Sequence, residues 1–271
     1  MTDSGTRFRD RSVLVTGASR GIGRAIALRF AAEGAALALT GAEDDELADV
    51  VAACRAAGSA TVGMAGDLGD PALPAALVDL CVHEHGSVDV LVNNAFWERV
   101  GAVDEVDLKG WDRTLRVSLT AAMLLTGCAL PHMLRRGGGA IVNVASQRAF
   151  AAGHGAVAYE SAKAGLLALT RSTVVDFGPR GVRCNCVTPG LILSERAKAW
   201  YDGAAWRPRA MAAAIPLARP GRPEEVAAVV AFIASADASY VNGAVLAVDG
   251  GALAGLPENA ALRLAEEDAS R

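Results

Sequence analysis

Short runs of valine, leucine, isoleucine and alanine alternate along the chain with longer segments in which apolar residues return every three or four positions. The short runs cover Ser12 to Thr16, Ala35 to Thr40, Ala60 to Ala65, Val88 to Val92, Ala140 to Ala145, Val182 to Val187 and Ala244 to Val248. Because they are largely apolar throughout rather than at every second position, they predict strands buried on both faces. The longer segments predict helices over Ala25 to Glu33, Asp44 to Ala57, Ala72 to His85, Leu108 to Leu134 with a break near Ser118, Tyr159 to Phe177, and Pro223 to Ser235. Gly34, Gly58 and Gly178-Pro179 stand where such helices stop. Strand and helix alternate throughout, which argues an α/β fold with a single doubly wound parallel sheet and helices on both faces.

No repeat, low-complexity stretch or linker divides this pattern, so one domain is expected over residues 11–251, after a flexible N-terminus at 1–10. Residues 191–216 read as irregular and carry Trp200, Tyr201 and Trp206, which suits a mobile lid. The Ala- and Glu-rich tail, 252–271, is compatible with either a docked helix or fraying. At 271 residues, 52% hydrophobic and 21% charged, the chain can bury one large core. A net charge of −4 without basic runs gives no support for nucleic-acid binding. No apolar h-region marks a signal, no apolar stretch approaches bilayer length, and no membrane role is expected. The five cysteines are scattered apart from Cys184-Asn185-Cys186, which lacks a second ligand pair, so reduced thiols, a cytoplasmic location and no metal are expected.

Chemistry-bearing residues gather in two places. Thr16-Gly17-Ala18-Ser19-Arg20-Gly21-Ile22-Gly23-Arg24 lies between a predicted strand and a predicted helix. Glycines let the backbone approach a ligand, and free N–H groups at a helix start face an anion, so this turn predicts a phosphate cradle. Further on, Ser146 ends an apolar run, and thirteen residues later Tyr159-Glu160-Ser161-Ala162-Lys163 opens a helix. Four positions apart, Tyr159 and Lys163 share a face, separated by about 6 Å of axial rise. A neighbouring cation favours the phenolate, and a tyrosine so tuned can move a proton near neutral pH. Ser146 can add a donor toward a carbonyl oxygen. Asp67, at the end of the third run, suits an adenine edge or simply a loop cap.

Taken together, Thr16-Gly17-(x)3-Gly21-Ile22-Gly23, Asn93-Asn94-Ala95, Ser146, Tyr159-(x)3-Lys163, Asn185 with Pro189-Gly190, and Asp249-Gly250-Gly251 resemble the short-chain dehydrogenase/reductase family. The resemblance covers nearly the whole chain and looks most like bacterial carbonyl reductases that act on 3-oxoacyl groups. It implies a Rossmann-type fold and hydride exchange between a nicotinamide cofactor and a small carbonyl or alcohol substrate. By resemblance, Tyr159 is the general acid, Ser146 steadies the substrate oxygen, and Lys163 holds the ribose and lowers the Tyr159 pKa. Gly17, Ser19, Arg20, Gly21, Ile22 and Gly23 would cradle the phosphates. Asp67, Leu68, Asn94 and Ala95 would follow the adenosine, and Pro189, Gly190, Ile192 and Ser194 the nicotinamide. A homodimer or homotetramer through Trp111 to Leu134 and Ala156 to Phe177 is also implied.

Two positions depart from the family pattern. Ser118 stands where a catalytic Asn helps hold a water leading to the Lys, and Phe96 where a Gly follows Asn93-Asn94-Ala95. The first puts turnover in question; the second suggests that Phe96 and Trp97 wall the substrate pocket. The second strand ends Thr40-Gly41, without the carboxylate that bonds a ribose 2′-hydroxyl, while Arg20 suits a 2′-phosphate. NADP(H) is therefore expected, although Glu43, Asp44 and Asp45 follow at once. An NAD-dependent alcohol or sugar dehydrogenase, and a cofactor-binding regulator with weakened turnover, are the alternatives.

Overall fold

Val13, Leu14 and Val15 have no exposed surface, and their side chains divide between the two sides of a sheet. The computed structural model describes residues 6–256 and 258–269. Its strands are β1 (Ser12–Val15), β2 (Ala36–Leu39), β3 (Thr61–Gly63), β4 (Val90–Asn93), β5 (Gly139–Val144), β6 (Val182–Pro189) and β7 (Val245–Val248). They form one sheet in the order β3-β2-β1-β4-β5-β6-β7. Every pairing is parallel, with Val15 opposite both Leu39 and Val92. The strand order reverses between β1 and β4, and that switch point opens a crevice at the carboxyl ends of the strands.

The crossover helices are α1 (Gly21–Ala32), α2 (Asp44–Ala56), α3 (Leu73–His85), α4 (Leu108–Leu115), α5 (Ala121–Arg135), α6 (Val157–Phe177) and α9 (Pro223–Ala234). Val13, Val15, Val92 and Val142 pack with α1 and α9, and Leu14, Leu91 and Ile141 with α3 and α5. The expected break near Ser118 is a π turn, Arg116–Thr120, between α4 and α5. The continuous segment Leu108–Arg135 is, against the sequence-based expectation, long and apolar enough to span a bilayer. Half of its most apolar window is buried within the fold, with Leu125, Ala129 and Met133 in the same core cluster as Leu77 and Ile141, as befits a core helix.

Half of the expected flexible N-terminus, residues 1–5, lies outside the described residues, and residues 6–10 pack against the body. Phe8 is buried edge-on against Phe30, and Arg7 pairs with Glu33 at 2.7 Å.

The lid is more ordered than its sequence suggests, because it holds α7 (Glu195–Asp202) and α8 (Arg207–Ala214). Two of its rings, those of Trp200 and Trp206, gather around a lid arginine. The Arg207 guanidinium lies 4.7 Å from the Trp200 ring centre and 5.6 Å from that of Trp206. The tail forms α10 (Glu258–Ala269) and is bonded to α8 in both directions. Arg263 donates to the carbonyls of Ala213 (3.2 Å) and Ile215 (3.0 Å), where a cation suits the end of α8. Arg209 of α8 reaches back to the Leu264 carbonyl and the Asp268 carboxylate.

Arg263→Ala removes the two bonds to the end of α8, worth about 1–3 kcal/mol together. Limited proteolysis between α7 and α8 should then accelerate about tenfold, while the thermal midpoint of the whole protein moves little. Unchanged cleavage would show that α10 does not restrain the lid.

Candidate active site

The glycine turn owes its shape to a close crossing of two loops. Gly17 adopts φ +62°, and a Cβ placed there would lie 2.8 Å from the Ala95 Cα; a Cβ on Gly23 would sit 1.9 Å from the Gly17 carbonyl. The crossing is fastened by hydrogen bonds. Thr16 Oγ1 accepts from the amides of Asn94 (3.0 Å) and Ala95 (3.1 Å), and the Asn94 side chain donates to the carbonyls of Thr16 (2.9 Å) and Gly17 (3.1 Å). Asn94 thus spends its donors inside the protein. Helix α1 begins at Gly21 with no side-chain cap and no acid in its first turn, so the early amides of Gly21, Ile22 and Gly23 remain unmasked by side chains.

The other predicted residues surround this turn unevenly. Ser19 packs against Gly41 at the end of β2, where a Cβ on Gly41 would come within 2.9 Å of the serine Cβ. Arg20 is exposed and its guanidinium lies 3.5 Å from Glu46, one of three acids in the first turn of α2. Asp67 accepts from the Gly69 amide at 2.8 Å and pairs with Arg113 at 3.1 Å, so both of its oxygens are engaged. Leu68 is buried. Gly190 fits against Asp249, where a Cβ would approach within 2.7 Å. Ile192 is buried, and Ser194 caps α7 through the Ala197 amide and sits against Gly21, bringing the start of the lid to the start of α1.

Ser146, Tyr159 and Lys163 converge at the ends of β5 and α6. Lys163 is buried, and its Nζ donates to the Val144 carbonyl at 2.7 Å. Burial lowers its pKa to about 8, opposed by Cys186 and Glu98. The Tyr159 phenol is shifted the other way: burial raises its pKa, with Glu98 adding to the rise, and the Ser146 hydroxyl and Arg148 opposing it. The expected lowering by Lys163 is not found. Its ammonium lies 5.6 Å from the centre of the Tyr159 ring, and among the described residues it makes no hydrogen bond to the phenol.

Both departures from the family pattern acquire a physical account. Ser118, fully buried in the π turn, donates to the Trp97 carbonyl (2.8 Å) and accepts from the Trp97 amide (3.0 Å). Its hydroxyl fixes the loop after β4 and is not turned toward Lys163. Phe96 lies edge-on to the Tyr159 ring, centroids 5.7 Å apart, with the Lys163 ammonium 5.6 Å from its own centre. Trp97 turns the other way, into the core and under Arg113, so of the two rings Phe96 is the one at the site. His154 is exposed; Arg207 and Arg209 are engaged within the lid and tail. Sequence reasoning passed over Glu98 and Arg148, two charges that act on Tyr159, because neither belongs to a recognised motif.

Comparison with known proteins agrees with this geometry. Residues 17–252 match a family model described as Enoyl-(Acyl carrier protein) reductase. The chain is 37% identical to D-threitol dehydrogenase of Mycolicibacterium smegmatis, over 90% of this chain and 94% of the relative. It is 41% identical to cis-4-hydroxycyclohexanecarboxylate dehydrogenase of Sinomonas cyclohexanicum, over 91% and 98%. The crystal structure of levodione reductase superposes with a TM-score of 0.87 at 33% identity, covering 92% of this chain and all of the other. With its switch-point crevice and its converging Ser146, Tyr159 and Lys163, the chain belongs to the short-chain dehydrogenase/reductase family, oxidoreductases of alcohol and carbonyl groups.

Proposed function

We propose that this protein interconverts a ketone and a secondary alcohol at Tyr159, using NADP(H). The observation that carries the reading is the convergence of a hydroxyl, a phenol and a buried ammonium beside an unmasked helix start. The residues fit a dinucleotide. Gly17 and Gly23 leave a cradle that any Cβ would fill, and the amides at the start of α1 face outward for a pyrophosphate. Lys163 has used one donor on Val144, leaving two for ribose hydroxyls. The nicotinamide, when bound, supplies or accepts the hydride.

This chain's own groups handle the proton. Burial keeps the Tyr159 phenol protonated at neutral pH, so it gives its proton to the carbonyl oxygen in reduction. The Ser146 hydroxyl, which already tempers the rise in that phenol's pKa, donates to the same oxygen as charge develops there. Apolar side chains exposed on α5 and α6, Met123 and Val175, support assembly into a dimer or tetramer.

The choice of nicotinamide rests on the end of β2. It offers Thr40 and Gly41 rather than a carboxylate, and beside it the exposed Arg20 is held only loosely by Glu46. That supports NADP(H). The acids Glu43, Asp44, Asp45 and Glu46, crowded at the same helix start, favour NAD(H) instead and make it the second reading.

Tyr159→Phe keeps the ring and its contact with Phe96 but removes the proton. Ketone-dependent oxidation of the reduced cofactor should fall at least a thousandfold with cofactor affinity nearly unchanged; retained turnover would rule out this proton donor. Lys163→Met removes a charge that folding disfavours, so it should stabilise the protein at pH 7 by roughly 1–3 kcal/mol while abolishing turnover. The folded pKa lies below the unfolded one, so the lysine's burden is complete below about pH 8 and vanishes above the ordinary lysine value of 10.5. The advantage of Lys163→Met in thermal melts should therefore shrink across that window. For the cofactor, kcat/KM should favour NADPH, and Arg20→Ala should weaken NADPH about tenfold or more with little effect on NADH. A native preference for NADH would favour the second reading.

A further inference from the structure

Part-buried charges in this fold are almost all matched. Glu33 is paired by Arg7 and Arg29, Asp89 accepts from Ser12 and Ser87, Arg183 donates to four carbonyls, and Glu160 accepts from the Gly153 amide. Among the described residues, Glu98 and Arg148 are the part-buried charged side chains that make neither a hydrogen bond nor an ion pair. Desolvating a charge without a partner costs stability, so two such groups in one place call for a ligand.

Both stand at the catalytic phenol. Glu98 lies two positions beyond Phe96, whose ring lies edge-on to Tyr159, and Arg148 two positions beyond Ser146, whose hydroxyl opposes the rise in the phenol's pKa. Their charges both act on Tyr159, in opposite directions. Neither position is loose. Glu98 is flanked by Trp97, bonded through its amide and carbonyl to Ser118, and by Arg99, whose amide donates to Thr114 Oγ1 at 3.0 Å. The Arg148 amide donates to Ser146 Oγ at 3.2 Å, and its guanidinium lies against Gly153, where a Cβ would come within 2.9 Å of Cζ.

We propose that Glu98 and Arg148 form a specificity wall for a hydroxyl adjacent to the reacting carbon, so that the substrate is a vicinal diol, polyol or sugar. An acceptor-only carboxylate and a donor-only guanidinium match a hydroxyl, which both donates and accepts. A substrate carrying a single charge at that place is repelled by one of the two, and a plain aliphatic alcohol leaves both unpaired, which disfavours it strongly. The assignment rests on the oxidoreductase reading above and adds the substrate class to it.

The test compares butane-2,3-diol with butan-2-ol as substrates of the enzyme with its cofactor, in the native protein and in Glu98→Gln and Arg148→Met. The native enzyme should prefer the diol by a hundredfold or more in kcat/KM. Glu98→Gln should raise KM for the diol at least tenfold and shrink the diol-over-butan-2-ol preference in kcat/KM at least tenfold, with cofactor Kd, read by fluorescence titration, within twofold. Arg148→Met should act in the same sense. Equal use of both alcohols by the native enzyme, or equal losses on both in Glu98→Gln, would overturn this proposal alone. Inactivity of the native enzyme on all alcohols and ketones would remove the oxidoreductase reading and this proposal with it.

Discussion

The rest of the site depends on one buried ammonium. Lys163 is carried into the interior by α6 and met there by a single carbonyl, that of Val144 at the end of β5. Burial lowers its pKa to about 8, with Cys186 and Glu98 opposing the fall. The fold thus tolerates an under-coordinated cation that is stable only if something else arrives to use its remaining donors. Such strain is stored where function needs it. The aromatic rings of Phe96 and Tyr159 enclose the same cation and keep it from water without satisfying it.

Around that cation the sheet serves as a positioning device. The switch point between β1 and β4 forces two loops into contact, and Gly17, Gly23 and Asn94 are residues that permit the contact and fasten it. Neighbouring strands β5 and β6 deliver Ser146 and Pro189 to the same edge, and the lid leaves from there. Asn185 repeats the device further along, joining β6 to the loop before β7 through Val241 and Ala244. Motif residues of this chain therefore divide into groups that face a ligand and groups that hold the loops presenting them. Asn94, Asn185 and Ser118 belong to the second kind.

Ser118 shows how a substitution at a site position can preserve structure. A hydroxyl that both donates to and accepts from Trp97 satisfies a backbone pair at the mouth of the crevice, inside a π turn that already departs from regular helix. The loop it fixes carries Phe96 and Glu98, so the identity of the residue bears on the substrate wall through geometry rather than on the proton directly.

The order of strands and helices was legible in the chain because buried parallel strands are short apolar runs and their crossovers are periodic. Glycines at Gly17, Gly21 and Gly23, and the Tyr159–Lys163 spacing, were legible because local geometry fixes them: a positive φ or close approach in one case, a single helical turn in the other. Four outcomes needed the tertiary structure. The two lid helices and docked α10 depend on contacts between segments about fifty residues apart, such as Arg263 with Ala213, which no local pattern announces. Similarly, Trp97 and Phe96 turn to opposite sides because Ser118 grips the backbone between them. The Tyr159 pKa moves up, not down, because burial outweighs Ser146 and Arg148 while the Lys163 ammonium is aimed at Val144. Glu98 and Arg148 become notable only once every other part-buried charge among the described residues has found a partner, since an unpaired charge is defined by what surrounds it in space and not by its place in the sequence.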